Sequence, residues 1–377
     1  STTSSEKAQK MADFICDGTN DAEVINTAIS KYAGKISSLK LNFANGIYKI
    51  ETLTECDNMK CGIILQSDYI NLALEGENQP WFDNSLHNAG YISGIGGGVI
   101  FDLTSKAIES LADSDIINII YAKNKSFPKM LVTIKNIGTK CSTNQKKITG
   151  INLENVSGTN LENVFSYVNV NINSMQVPIG GTCGIKCQNG SQISEYTLKN
   201  CYVQGFERGF QLGGEHITAI AISAIYCIYP YYLGVSGGIY HSNTFINCNE
   251  EHCIKSIYFA NGIKAGTLYE FIGHDIEIIT SGKFARTSGA IEAKPGSARG
   301  SVSYCTTTAN VGCSSTNFWE NGSGVQFKTR QAYDLTNGTT DNRPKHPSVN
   351  TEYFDTTINK KIYYTGTKWI DYMGNDV

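Results

Sequence analysis

The first chemistry this sequence offers is a pair of acids two residues apart. In Gly273-His274-Asp275-Ile276-Glu277-Ile278, isoleucines alternate with carboxylates. If Ile276 and Ile278 point into a core, Asp275 and Glu277 share the opposite face, because successive strand residues face opposite sides. Two residues along a strand place Cα atoms about 6.5–7 Å apart. Carboxyl groups about 6.5–9.5 Å apart suit inverting glycoside hydrolysis, in which one acid protonates the leaving oxygen and the other activates water. Outward acids are also simply what solvated strands carry, so the spacing is a weak filter. Glu215, beside His216 after Gly213-Gly214, is a second acid–base candidate. Adjacent strand residues face apart, which counts against that pair and against Glu251-His252. A lyase would need a cation instead, and Arg208 or Lys255 is available. Tyr226, Tyr229, Tyr231, Tyr232 and Tyr240 crowd into 15 residues. A tyrosine's flat apolar face and hydroxyl together fit a sugar ring, although any one of them serves equally well in a core or an interface. No metal or cofactor site is expected, since Cys183 and Cys187 have no second ligand pair at zinc spacing.

These residues need a scaffold, and the sequence implies one that repeats. From Met130 to Ile279 short β-type runs end in an Asn-apolar step. The steps are Lys135-Asn136-Ile137, Glu154-Asn155-Val156, Lys199-Asn200-Cys201 and Ile246-Asn247-Cys248, with Ile225-Tyr226-Cys227 filling the same slot once. Their separations are 19, 45, 26 and 21 residues, and 45 is close to two units of the others. A loose period in the twenties, with strands and no helices between, predicts a solenoid of stacked coils, a β-helix. Each coil buries its apolar side chains only by sitting on the next.

Composition agrees. Charged residues are 17% of the 377-residue chain, and its 37 glycines and five Asn-Gly pairs supply turns. A net charge of −3 with no Lys/Arg cluster argues against a nucleic-acid partner. The twelve cysteines read as reduced and structural, because a chain of this size needs no disulfide staples. Ile217 to Val235 has no charged residue, yet it holds Pro230 and four tyrosines, so it is expected inside the solenoid and not across a membrane. No signal peptide is visible in the polar opening Ser1-Thr2-Thr3-Ser4, and a removed segment could precede it.

At the start, Asn20 with Glu23 forms a capping-box pattern, followed by an apolar stripe of Ile25, Ala28, Ile29 and Tyr32. Leu39, Leu41 and Phe43 then alternate as a strand. Asp17-Gly18-Thr19-Asn20-Asp21, Ile25, Ala28-Ile29 and the run Leu39 to Tyr48 resemble the opening of pectate-lyase-like right-handed β-helix proteins, especially bacteriophage tail spikes. That opening runs D-G-x-x-D, a helix ending in A-I, a strand and P-x-G-x-Y. Ala44-Asn45-Gly46-Ile47-Tyr48 lacks the proline and keeps the rest. Gly205-Phe206-Glu207-Arg208-Gly209-Phe210-Gln211-Leu212 looks like a coil of the same family. Near the C-terminus, Arg343-Pro344, Tyr353-Phe354-Asp355-Thr356-Thr357 and Gly366-Thr367-Lys368-Trp369 are similar to small modules of phage and prophage tail proteins.

The expected fold is therefore all-β: a right-handed parallel β-helix with a short N-terminal cap helix and a small β-rich C-terminal module. The expected divisions are a flexible segment 1–10, the cap helix and first coil 11–50, the β-helix 51–330, a linker 331–350 and the module 351–377. The resemblance implies a homotrimer on a virion tail, or otherwise extracellular, with bacterial surface glycan as partner. It leaves open a depolymerase (hydrolase or lyase), a receptor-binding or structural tail protein without chemistry, and a secreted bacterial polysaccharide enzyme.

Overall fold

The computed structural model describes residues 12–343 and 352–377, apart from 67, 83–94, 123–129, 155, 172–174, 189–194, 214–215, 235–241, 261–267, 279–281, 286–290, 294–300, 310–318, 321–325 and 330–336. Its body is a right-handed parallel β-helix with three long sheets. Each coil gives one strand to each sheet in turn. Leu131–Lys135, Ile137–Cys141 and Lys147–Asn152 make one such coil, and Glu195–Lys199, Tyr202–Gln204 and Arg208–Gly213 make another. Successive coils pair in parallel and in register, for example Leu198 on Leu161 and Ala219 on Leu198.

Register stacks like on like. In the third sheet Ile63, Ile120, Ile151, Ile185, Phe210, Tyr231 and Ile257 form one inward column. All seven are fully buried. Each such side chain stabilises the fold by roughly 1.5–3 kcal/mol on transfer from water. Beside this column Gly184 packs so tightly that a Cβ there would lie 2.8 Å from both the Gly209 carbonyl oxygen and Val203. The charge-free run Ile217 to Val235 contributes a strand to each of the three sheets, as expected.

The corner between the first and second sheets explains the recurrent asparagine. One residue there adopts a left-handed conformation: Asn136, Asn163, Asn200, Ala221, Asn247 and Gly273, with φ between 51° and 66°. Asparagine and glycine tolerate that region best. The side chains also bond along the axis: Asn163 Nδ2 donates to Asn136 Oδ1 (2.8 Å) and Asn200 Nδ2 donates to Asn163 Oδ1 (3.0 Å). The corner after Asn136 is Asn163, and the expected step at Asn155 lies outside the described residues. One expected step belongs elsewhere. Tyr226 turns the next corner, from second to third sheet, where His252 occupies the equivalent place one coil later (φ 54° and 53°).

At the N-terminal end the helix Asp21–Tyr32 lies over the open coil, burying Ile25, Ala28 and Ile29. Asn20 caps it without the expected side-chain bond to the helix; its Nδ2 reaches Glu23 instead (3.4 Å). Buried Asp21 ties the helix down by accepting from the Gly18 and Lys49 amides. Asn26 covers the exposed strand edge, donating to the Gly62 carbonyl (2.7 Å) and accepting from the Ile64 amide (2.8 Å). The ten cysteines whose side chains are described are free thiols, all buried.

The C-terminal module is a four-stranded sheet of Asn337–Gly338, Glu352–Asp355, Lys360–Tyr364 and Trp369–Asp371. It begins earlier than its sequence suggests. Asn337-Gly338 pairs with Phe354-Asp355, and Arg343 holds Asp355 through two 2.7 Å contacts, so part of the expected linker belongs to the module. Among the described residues no helix is long and apolar enough to cross a membrane.

Candidate binding face on the third sheet

The outer face of the third sheet carries the densest set of functional side chains among the described residues. Two outward columns flank the buried one. The first runs Cys61, Asn118, Thr149, Cys183, Arg208, Tyr229; the second runs Ile64, Tyr121, Asn152, Lys186, Gln211, Tyr232, Tyr258. Toward the N-terminus the face is closed by the hairpin Thr54–Leu65, whose Asp57 accepts from the Tyr121 hydroxyl (2.9 Å). Burial, followed by that contact, raises the Tyr121 pKa above its ordinary value. Burial likewise pushes the Cys183 thiol up to about 12, which disfavours its thiolate form near neutrality.

Further along, the face opens. The Lys186 ammonium pairs with Glu154 (2.7 Å). Arg208 Nη1 donates to Gln211 Oε1 (2.9 Å), and its guanidinium lies 4.3 Å over the Tyr232 ring centroid. Its Nε stands 3.5 Å from Glu207, a carboxylate fixed by the Gly181 amide (2.7 Å). Tyr232 in turn stacks on Tyr258 (4.7 Å, 16°), with Tyr229 against both. The ring faces are thus occupied by one another and by Arg208. Lys186, Arg208, Tyr229 and Tyr232 are half-buried, whereas Gln211 and Tyr258 are buried beneath them.

The tyrosines grouped by sequence part company in space. Tyr229 and Tyr232 stand together on this face. Tyr231, between them, points inward: it is fully buried, and its hydroxyl lies within hydrogen-bond distance of the Ile222 and Asn249 carbonyls. Tyr226 sits at a corner, stacked on His252 (4.7 Å) and edge-on to Phe284. Tyr240 and Glu215 lie outside the described residues. Asp275 and Glu277 belong to the second sheet, where register sets Asp275 beside exposed Asn249 and Ile276 beside buried Glu250. Their own side chains lie outside the described residues. His252, turned by its corner, meets Glu251 at 3.5 Å despite their adjacency.

Tyr258, Gln211, Lys186 and Glu207 were not singled out by sequence. A signal existed: Gln211, Tyr232 and Tyr258 each stand eleven residues after a corner, at Asn200, Ala221 and Asn247. Ala221 hides that count, because nothing in its type marks a corner.

No family model matches the sequence, and no curated protein matches it. Solved structures do. ORF18 of Geobacillus virus E2 aligns with a TM-score of 0.43 and 11% identity over 96% of this chain and 68% of that one. Tailspike protein 3 of bacteriophage CBA120 gives 0.25 and 11% over 97% and 68%. The A-module of mannuronan C-5 epimerase AlgE4 from Azotobacter vinelandii gives 0.23 and 11% over 85% and 96%. The fold assignment itself rests on the strand register of this chain.

Proposed function

We propose that this chain is a tailspike-like protein of a phage or prophage virion that binds bacterial surface polysaccharide along the outer face of its third sheet. The supporting observation is the row Lys186, Gln211 and Tyr232 across three successive coils, flanked by Arg208 and Tyr229. The half-buried ammonium, guanidinium and phenol groups of this row suit a linear polymer laid along the solenoid, with several convergent polar groups setting its orientation. The cap and C-terminal module resemble tail proteins in sequence, which favours a virion setting and a homotrimer; sedimentation velocity tests the latter. The direct test is retention of purified protein on capsular and O-antigen polysaccharides. Replacing Arg208, Tyr229 and Tyr232 together with alanine is expected to abolish retention, and unchanged retention would remove this face from the reading.

A catalytic reading has one observation in its favour. The parallel register that sets Asp275 beside exposed Asn249 puts Glu277 two residues further along the same strand. Cα atoms two residues apart on a strand lie about 6.5–7 Å from each other, compatible with the carboxyl separation of about 6.5–9.5 Å used in inverting glycoside hydrolysis. Asp275→Asn and Glu277→Gln are then expected to end the appearance of new reducing ends from a bound polymer. Full cleavage by both variants would clear these two residues of that role.

A further inference from the structure

At the N-terminal edge of the third sheet, Cys56-Asp57-Asn58-Met59-Lys60-Cys61 carries three sulfur atoms on one short hairpin. Its strands Thr54–Cys56 and Met59–Leu65 are joined by Asp57 and Asn58, both left-handed (φ 52° and 61°). A two-residue turn of that kind fixes the register of the strands it joins. Cys56 then faces Met59, Glu55 faces Lys60 and Thr54 faces Cys61. Side chains alternate across a strand, so Cys56, Met59 and Cys61 share one face. Glu55 and Lys60, ion-paired at 3.0 Å, share the other. The sulfur face is packed: Cys56 and Cys61 are buried with Ile64 and Tyr121, and half-buried Met59 lies against them.

Asn118, from the neighbouring coil, reaches two of the sulfurs at once. Its Nδ2 lies 3.3 Å from the Met59 Sδ and 3.9 Å from the Cys61 Sγ, and its Oδ1 accepts from Asn152 (3.0 Å), which sets the amide's orientation. Burial pushes the Cys61 thiol up to about 12 in spite of that bond, so an occupant must be one that displaces a thiol proton. The donor set discriminates among cations. Among the described residues no three His, Cys, Asp or Glu side chains are grouped to hold a metal ion, so neither the four-ligand set of structural zinc nor the oxygen shell of calcium is built here. The nearby carboxylate of Asp57 already accepts from the Tyr121 hydroxyl (2.9 Å). Two thiols and a thioether are a soft set of low coordination number, which selects Cu(I).

We propose that this hairpin binds one soft monovalent cation of the Cu(I) class through the sulfurs of Cys56, Met59 and Cys61. Each thiol gives its proton to solvent, each sulfur donates a lone pair to the ion, and no oxidation state changes. The ion ties the two hairpin strands together, and the exposed turn residues Asp57 and Asn58 leave it a path from solvent.

The test titrates the full chain with Ag(I), a redox-stable probe, and with Cu(I) kept reduced by ascorbate in the absence of oxygen, each against a competing chelator. Native mass spectrometry gives the stoichiometry, and circular dichroism verifies folding of wild type, Met59→Leu and Cys61→Ser. Met59→Leu keeps the apolar packing and every thiol, so it singles out this hairpin among the twelve cysteines even if the serine variant fails to fold. The expected result is one ion per chain, with affinity falling in Met59→Leu by at least the roughly tenfold that losing even an outer contact costs a metal site. Cys61→Ser should lose the ion, and with it the rise in melting temperature that the ion gives wild type. No ion retained against the chelator, or retention that neither variant alters, would overturn the site. Loss in Cys61→Ser with full affinity in Met59→Leu would overturn the three-sulfur assignment.

Discussion

Gly184 shows how little freedom a single position has when coils stack in register. With 2.8 Å from a would-be Cβ to a neighbouring carbonyl and to Val203, an added methyl must push two coils apart. Gly184→Ala is expected to destabilise by about 1–3 kcal/mol, as overpacking does, visible as a lower melting temperature. His274 is constrained by chemistry instead. It is fully buried, with Nδ1 2.8 Å from the Cys248 carbonyl and Nε2 3.0 Å from the Ser256 hydroxyl. A carbonyl only accepts, so Nδ1 carries the proton and Nε2 accepts from Ser256. His274→Ala strands both partners and leaves a cavity, an expected loss of about 2–4 kcal/mol in chemical denaturation. Sequence alone resolves such residues poorly. Tyr231 and Tyr232 look interchangeable in a run of tyrosines, and only knowing which one falls in the inward column separates core from surface.

At the scale of elements, the corner column is the clearest expression of sequence in structure, and Ala221 is its flaw. Alanine in the left-handed region costs roughly 1–2 kcal/mol relative to the right-handed one, and Asn is the non-glycine residue that visits it most readily. Ala221→Asn is expected to raise stability by about 1 kcal/mol and to bring the Asn136–Asn163–Asn200 run up to Asn247, read as a higher denaturation midpoint. The recurring Asn-apolar step made the solenoid legible, because a backbone constraint had selected a side chain. The same step left one corner unread, because Glu154-Asn155-Val156 resembles Glu162-Asn163-Val164, which does turn one. The candidate face was less legible, since its residues share no type, only an offset. In the C-terminal module, Lys360 and then the Asn375 and Met373 contacts lower the Asp371 pKa to about 2. Burial alone would raise Asp355, but bonds from Thr340, Arg343 and the Ile358 and Thr357 amides hold it below its ordinary value. Carboxylates with depressed folded values stabilise above their unfolded pKa near 3.8 and lose that contribution as pH falls through the folded one. Trp369 fluorescence should therefore be steady from neutrality to about pH 4 and change as pH falls toward about 2. In Asp371→Asn the part of that acid response owed to this residue should vanish.

The whole molecule is a one-dimensional stack, and its weakest places are its ends. Asn26 satisfies the Gly62 carbonyl and Ile64 amide at the first edge of the third sheet. Asn26→Ala is expected to cost about 1–3 kcal/mol through those two orphaned groups. It should also increase light scattering on storage, because an open strand edge recruits other chains. Both effects should be local, since each coil touches only its neighbours.

The corner residues fix where every coil turns, while the connections leading back from the third sheet to the first differ in length from coil to coil. Insertions, losses or exchanges in those connections leave the inward column, the asparagine corners and the tyrosine row where they are. A lineage can therefore vary the length of these connections many times over without renegotiating how the chain folds.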